Sequence, residues 1–333
     1  MSFVSVVVVT WNGLHVLRDC VAALAGQTVP HELIVVDNGS RDGTVEWLRN
    51  NAPHAHVVPL PHNLGFAAGN NAGLRAATGE LLVLLNNDTI AAPDFLEQLA
   101  APFTRDKQLA AAAGVLLFAH RPEFIASAGI SVGRDGLHRD LWMLRPAAEL
   151  PDQTTPVFGA SGGAACYRRA ALEDVGLLDE RYGSYLEDAD LAWRLRLAGW
   201  GCVSVPQARV LHVYSATASH GSPFKQRLQA RNRVRVLVRC LPIRLWEKHW
   251  AAIMRYDLLA IAYAMLRRQP ALIAGRLDAI RDMPALLGQR RRLAKRKRVP
   301  GAALERWLEP SASVREILRQ QRDLDAVLRA RQM

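Results

Sequence analysis

The sequence predicts an α/β fold: a Rossmann-like, mostly parallel central sheet flanked by helices, followed by a basic and mainly helical C-terminal extension. Three observations carry this reading. Four short β-rich apolar runs alternate with three helical segments within the first 90 residues, the rhythm of parallel strands joined by crossover helices. Two of those runs end abruptly in polar clusters, Asp37-Asn38-Gly39-Ser40 and Asn86-Asn87-Asp88-Thr89. In open α/β sheets, ligands bind at such strand ends. The charge also divides the chain. Residues 1–220 hold 16 Lys/Arg against 22 Asp/Glu, and residues 221–333 hold 26 against 9, balances of −6 and +17.

Residues 3–10 are β-branched and nearly all apolar, as in a strand covered on both faces. Asn12 is placed to cap the next helix, whose apolar positions are Leu14, Leu17, Val21 and Leu24. Residues 31–36 form the second strand, and Ser40 or Asp42 begins a short helix around Val45, Trp47 and Leu48. A third strand covers 56–59. The Gly/Asn/Ala segment 63–79 is small enough for helix, sheet or ligand to approach closely. Residues 81–85 then form the central strand, which ends at the Asn86–Thr89 cluster.

Beyond it, 93–101 reads as a helix and 109–118 as a strand. The section 124–156 is less regular, with turn signals that fit a hairpin or a substrate-facing excursion. Residues 158–165 contain Gly162-Gly163, which either approach a sugar or merely turn the chain. Residues 185–199 have helical spacing at Leu191, Leu195 and Ala198, with Gly199 as the stop. Residues 200–205 and 211–213 read as two short strands, the second carrying His212. The rest is helical and basic. A broad apolar face runs from Trp246 to Met265, 290–298 is a basic run, and 314–328 forms an amphipathic helix suited to an anionic membrane or a partner helix.

Composition narrows the function. A chain of 333 residues with 50% hydrophobic and 22% charged residues has material for a large core. Its four cysteines, Cys20, Cys166, Cys202 and Cys240, form no CxxC spacing, which disfavours a zinc site or a disulfide framework and fits a reducing compartment. The N-terminus opens straight into the first strand, the expectation for a protein that is not secreted. The longest apolar run in the tail, 258–266, is nine residues, too short to span a bilayer. No aromatic residues interleave the basic run, so nucleic acid is the weaker partner. No GxGxxG follows the first strand, which counts against a dehydrogenase.

Four polar groups recur at strand ends or at a helix start: Asp37, Asp88, Asp188 and His212. Together they suit a reaction on a sugar diphosphate. Asp88 and His212 are candidates to hold a divalent cation that bridges the phosphates, Asp37 to accept hydrogen bonds from a base or ribose, and Asp188 to take a proton from an acceptor hydroxyl. Each also has a plain structural reading. Glu187 and Asp188 suit helix capping, and Asp190 with Arg194 suits an i,i+4 pair on a solvated face.

Several stretches, in order, resemble the inverting glycosyltransferases of family 2, in particular the bacterial rhamnosyltransferase-like members. They are VSVVVVTWNG, LIVVDNGSRDGT, NLGFAAGNNAG, LLVLLNNDT, FGASGGAACYRR and YLEDADLAWRLRLAGW, closed by His212 with Ser215. The resemblance covers about two thirds of the chain and implies the GT-A fold over 1–220. The donor half would be about 1–90 and the acceptor half 91–220, with 221–333 as a basic amphipathic extension for a membrane or oligomer contact. By position it implies that Thr10, Asn12, Asp37, Asn63, Gly65, Asn71 and Asn87 line the donor site. It implies Asp88 and His212 as ligands of Mg²⁺ or Mn²⁺, and Asp188 as the base with Glu187 beside it. Asp190 and Arg194 would brace the helix or position phosphate.

Two departures stand out. Asn86 occupies the first acidic position of the family's DxD element, so the metal would lean on the donor phosphates. Trp11 replaces a common tyrosine. The implied donor is a dTDP or UDP sugar, first dTDP-L-rhamnose, with galactose-type and N-acetylhexosamine donors as alternatives. The implied acceptor is a saccharide or lipid-linked oligosaccharide of a surface polysaccharide, met at the inner face of the cytoplasmic membrane. The competing readings are a nucleotidyltransferase of the same fold, whose usual Gly-rich basic loop after the first strand is missing here, and a membrane-docked scaffold without activity.

Overall fold

The computed structural model of the chain describes residues 2–213 and 222–329. Strand β1 (Val4–Thr10) leads through helix α1 (Leu14–Ala25) to β2 (His31–Asp37), then through α2 (Thr44–Asn51) to β3 (His56–Pro59). Helix α3 (Phe66–Ala76) returns the chain to β4 (Leu81–Asn86) on the other side of β1. These four strands pair in parallel in the order β3-β2-β1-β4. Val4, Val6 and Val8 of β1 enter the core beneath α1, while Val7 enters the one beneath α3. Apolar burial on both faces, roughly 1.5–3 kcal/mol per side chain, is why this strand shows no hydrophobic alternation.

The short β5 (Thr89–Ala91) and helices α4 (Phe95–Ala100) and α5 (Pro102–Arg105) lead to β6 (Leu109–Phe118), which is buried along its whole length. Strand β7 (Arg121–Ser127) folds back on β6. The hairpin β8 (Ile130–Gly133) and β9 (His138–Asp140) then leaves the main sheet, and β10 (Thr155–Pro156) rejoins it. Strand β11 (Ala164–Arg168) inserts antiparallel between β4 and β6. Helices α6 (Arg169–Val175) and α7 (Glu187–Leu197) precede β12 (Gly201–His212), which runs parallel to β6.

Two sequence expectations change here. The two strands expected in 200–213 are one, β12, with a register break between Ser204 and Arg209. Pro206 lies within the break, and its missing N–H accounts for the gap in the ladder. Asn12 does not cap α1. Its backbone lies in the left-handed region at φ 49°, and its Oδ1 accepts from the Arg41 amide at 2.8 Å. Asp42 reaches across instead, and its Oδ2 accepts from the Leu14 amide at 3.0 Å.

The extension comprises α8 (Pro223–Cys240), α9 (Ile243–Leu266), α10 (Pro270–Arg281), α11 (Met283–Arg296), β13 (Leu308–Glu309) and α12 (Val314–Arg329). It shares a core with the body: Phe158, Trp193 and Leu197 pack with Val236, Leu237, Leu245 and Leu304. Strand β13 pairs with β8 in parallel. Helix α12 places Leu324 in the core, with Val327 and Leu328 packed against it, so part of the apolar face expected for a membrane or a partner is spent within the chain. The basic run is partly spent too, because Arg298 holds Asp174 with bonds of 2.6 and 2.8 Å.

Candidate active site

The carboxyl ends of β1, β2 and β4 meet the start of α7 across the Gly162-Gly163 turn. On the donor side, Asp37 ends β2 buried, with both carboxylate oxygens accepting from the Ser40 amide at 3.2 and 3.3 Å. Thr10 Oγ1 at the end of β1 accepts from Asn87 Nδ2 at 3.0 Å. Asn63 Oδ1 accepts from the Gly65 amide at 2.9 Å and from Asn38 Nδ2 at 3.2 Å. Asn38 reads in the sequence only as part of the polar cluster after β2, with no role of its own. Its amide ties that cluster to the Asn63–Gly65 turn, and its Oδ1 accepts from the Leu64 amide at 2.9 Å. Asn71 sits away from these groups and braces the loop before α7: its Nδ2 donates to the Leu178 carbonyl at 2.8 Å and to Glu180 at 3.0 Å.

Asp88 and His212 come together although they are far apart in sequence. Strand β5 pairs antiparallel with β12, matching Thr89 with His212, and the Val213 amide donates to the Asp88 carbonyl at 2.9 Å. That register holds His212 Nε2 3.1 Å from Asp88 Oδ1. The Asn86 amide lies 3.4 Å from the same ring nitrogen. Ser215 lies outside the described residues.

Asp188 lies on the other side of the glycine turn. Its Oδ2 accepts from the Gly162 amide at 3.0 Å and its Oδ1 from the Ala189 amide at 2.7 Å. The Gly163 carbonyl accepts from the Asn86 amide at 3.0 Å, and a Cβ at Gly163 would stand 3.3 Å from Asn86 Nδ2. One dipeptide thus touches the Asp188 carboxylate with one residue and the Asn86–Asp88 turn with the next. The close approach accounts for the glycine at Gly163, whereas a Cβ at Gly162 would meet Phe66 and Asp188 at ordinary contact distances of 3.4–3.7 Å.

Backbone strain marks the approach to this pair. Tyr185 and Leu186, immediately before Glu187, both lie in the left-handed region at φ 70° and 67°. Such conformations cost on the order of 1–3 kcal/mol each and persist only where neighbours enforce them. The neighbour is Asn232 of α8, whose Nδ2 donates to the carbonyls of Tyr182, Ser184 and Tyr185 at 3.0, 2.9 and 2.7 Å.

The electrostatics separate the acids. Burial pushes the Glu187 carboxyl well up, and the neighbouring Asp188 charge adds to this. Its buried Oε2 has no hydrogen-bond partner. Burial also raises Asp188, against the opposing pull of the Gly162 and Ala189 amides. A third carboxyl was missed in the sequence. Asp140, at the end of β9, is pushed up to about 6 by burial and by the charge of Asp188, while a Ser127 hydrogen bond and His212 pull it down. No spacing signal in the irregular 124–156 section pointed to it.

Asp190 and Arg194 correct a sequence expectation. They pair at 2.7 Å, but with side-chain exposures of 0% and 3% they lie in the interior and not on a solvated face. Arg194 spends its remaining donors on the Val175, Gly176 and Leu177 carbonyls, a bracing role.

The pattern described as "Glycosyl transferase family 2" matches residues 5–176, just over half of the chain. The chain belongs to glycosyltransferase family 2. A relative from Mycobacterium tuberculosis described as N-acetylglucosaminyl-diphospho-decaprenol L-rhamnosyltransferase is 32% identical over 231 residues, covering 62% of this chain and 75% of that protein. The O-antigen biosynthesis protein RfbC of Myxococcus xanthus is 29% identical over 226 residues, which cover 64% of this chain and 17% of RfbC. The glycosyltransferase is thus of the rhamnosyltransferase-like type. Among solved structures, GalNAc-T7 with UDP, GalNAc and Mn²⁺ superposes with a TM-score of 0.59 at 18% identity, covering 81% of this chain and 58% of that one. The Pyrobaculum calidifontis mannosyltransferase PcManGT, with GDP-Man and Mn²⁺, gives 0.54 at 19% identity, covering 99% and 85%. These likenesses establish the GT-A fold.

Proposed function

We propose that this glycosyltransferase moves L-rhamnose from dTDP-L-rhamnose to a lipid-linked saccharide by a single inverting displacement. The observation that carries the reading is the Gly162-Gly163 bridge, which sets the Asp188 carboxylate against the Asn86–Asp88 turn. The L-rhamnosyltransferase relative, whose name includes a diphospho-decaprenol, supports the choice of sugar and acceptor.

Asp37, Thr10 and Asn12 would receive the nucleoside, with Asn63, Gly65 and Asn87 shaping the diphosphate side. Asn71 would act indirectly by fixing the loop ahead of α7. Asp188, anchored by two backbone amides, would take the acceptor's proton as its oxygen attacks the anomeric carbon. A base opposite the leaving group gives inversion. Glu187, whose burial favours the neutral carboxyl, would stand beside the base and contact the acceptor.

Asp88 and His212 fit a divalent ion, Mg²⁺ or Mn²⁺. Their ligating atoms are 3.1 Å apart. Two adjacent ligands of an octahedral ion with bonds near 2.1 Å lie about 3.0 Å apart. Among the described residues no group of three or more His, Cys, Asp or Glu side chains gathers as a metal site. Two protein ligands with Asn86 alongside would leave the remaining positions to diphosphate oxygens and water. Such an ion would supply positive charge against the departing diphosphate, with Asp88 and His212 holding it.

No helix among the described residues is long and apolar enough to cross a membrane. The exposed residues Trp250, Met254, Leu258, Met265 and Leu266 of α9, beside a strongly basic surface, support docking on an anionic leaflet.

The test is a panel of sugar nucleotides incubated with and without Mg²⁺ or Mn²⁺, reading nucleoside diphosphate release. Wild type, Asp88→Ala and Asp188→Ala run together. Metal-dependent turnover of dTDP-L-rhamnose, lost in both variants, is the expected result. Turnover of a UDP-hexose or UDP-N-acetylhexosamine alone would replace the donor, and failure of every donor to bind in calorimetry would overturn the reading.

A further inference from the structure

A cavity of about 880 Å³ lies between the β8–β9 hairpin and the extension. Its walls come from α8, α9, α10 and α12. At one end are Asp140, Leu186 and Lys225, and Leu186 is the residue immediately before Glu187. Leu186 thus ties the lining to the chain segment that carries Glu187 and Asp188.

Its polar lining is one-sided. His138 Nε2 accepts from the Trp193 indole at 2.9 Å, which puts the ring proton on Nδ1, and that buried nitrogen has no partner. Burial and the nearby Arg233 and Arg139 charges hold the ring neutral, with its pKa lowered to about 3. Arg233 Nη1 and Arg276 Nε are also buried without a partner, although both guanidinium groups pair elsewhere with Asp257. All three orphan atoms on residues of this lining are donors. Buried donors left unpaired cost about 1–3 kcal/mol each, so the arrangement calls for a ligand rich in acceptor oxygens. Five cationic side chains face three carboxylates around the lining. Lys225 lies over the Tyr185 ring at 5.2 Å, and neither it nor Arg255 forms an ion pair among the described residues. The rest of the wall mixes apolar side chains, including Leu259, Tyr263, Leu272, Ile317 and Leu324, with neutral polar ones such as Gln229, Gln320 and Ser313. Leu259 is itself 46% exposed on α9, beside the exposed Leu258, so the cavity adjoins the apolar outer face of that helix.

We propose that this cavity is the acceptor site, taking the diphosphate and first isoprenoid units of a lipid-linked saccharide so that its sugar reaches Asp188. The donors and cations receive the diphosphate, the apolar wall receives the first units of the chain, and the rest of the lipid leaves over α9. This rests on the reading of a lipid-linked acceptor given above.

The probe is farnesyl diphosphate, titrated calorimetrically into the full chain, with inorganic pyrophosphate and farnesol as separate arms. Variants are Lys225→Glu/Arg255→Glu and the cavity-filling Ala260→Trp, each accepted only if its melting curve overlays wild type. Farnesyl diphosphate should bind wild type at least tenfold more tightly than either fragment, persist in saturating nucleoside diphosphate, and weaken tenfold or more in both variants. Equal binding of pyrophosphate would reduce the site to a phosphate site. Equal binding of farnesol would make it a lipid-contact surface. Displacement by nucleoside diphosphate, or wild-type affinity in both variants, would also overturn the assignment. Donor turnover is measured separately, so a failed donor reading leaves this result interpretable.

Discussion

The Asp190→Ala substitution tests whether α7 is held by its buried charges. The Asp190 side chain has no exposure, and four groups converge on its carboxylate. Arg194 Nε donates to one oxygen at 2.7 Å, while Tyr182 Oη, Arg239 Nη1 and Cys240 Sγ approach the other at 3.1, 2.8 and 3.2 Å. Arg239 keeps a second carboxylate, Asp179, at 2.7 Å. Among the described residues Arg194 has no other ion-pair partner, only three carbonyls, so the substitution strands one buried guanidinium. Stranding a buried charge costs about 3–5 kcal/mol. The internal control is Arg75→Ala, whose bridge to Glu180 joins side chains 61% and 45% exposed. Exposed pairs contribute about 0.2–1 kcal/mol. At roughly 2 °C per kcal/mol, the lower end of the usual range and the one suited to a chain of this size, thermal unfolding should shift by about 6–10 °C for Asp190→Ala and by about 2 °C or less for Arg75→Ala. Asp190→Asn keeps hydrogen-bonding capacity without the charge and should fall between them. An Asp190→Ala shift no larger than that of Arg75→Ala would refute the claim that the buried pair organises this helix.

Three further outcomes are expected. Asp188→Asn should lower kcat on the preferred donor and acceptor by about 10²–10⁴, the span of general-base contributions, with little change in donor affinity by calorimetry; a change confined to KM would remove Asp188 from the base role. Because burial raises the Asp188 carboxyl, and the base works only when ionised, the acid limb of kcat against pH should fall above the ordinary aspartate value of about 3.9; a limb at or below that value would contradict the burial effect. Gly65→Ala combines a left-handed φ of 89° with a Cβ 3.0–3.2 Å from the Gly183 backbone, and should lower stability by about 1–3 kcal/mol in urea titration; a neutral result would mean the turn relaxes freely.

The sheet was legible because apolar runs and polar strand ends are local signals. Residues 109–118 needed only their own composition to read as a strand, and they form one. The site was legible as separate groups and not as a constellation. Nothing local tells that Asp88 and His212 meet, because a strand pairing across more than a hundred residues brings them together. An i,i+4 Asp–Arg pair has the same spelling on a surface or in a core, so the burial of Asp190 and Arg194 depended on where α8 packs. Asn12 was misread as a cap because its competitor, Asp42, reaches Leu14 from 28 residues away. Asp140, His138 and Asn232 gave no motif at all, since each acquires its role only when the extension closes over the β8–β9 hairpin.

The grip of Asn232 on the strained loop bears on how this chain tolerates insertions. One side-chain amide on α8 reaches three carbonyls just ahead of Glu187 and Asp188. A helix advances by about 100° per residue, so a single residue inserted early in α8 would swing that amide to another side of the cylinder. The loop would then relax out of its left-handed conformation and carry the two acids with it. Peripheral helices ordinarily accept length changes that interior strands refuse. Here that difference disappears for the first half of α8, where reading-frame-preserving indels should be as damaging as those in the sheet.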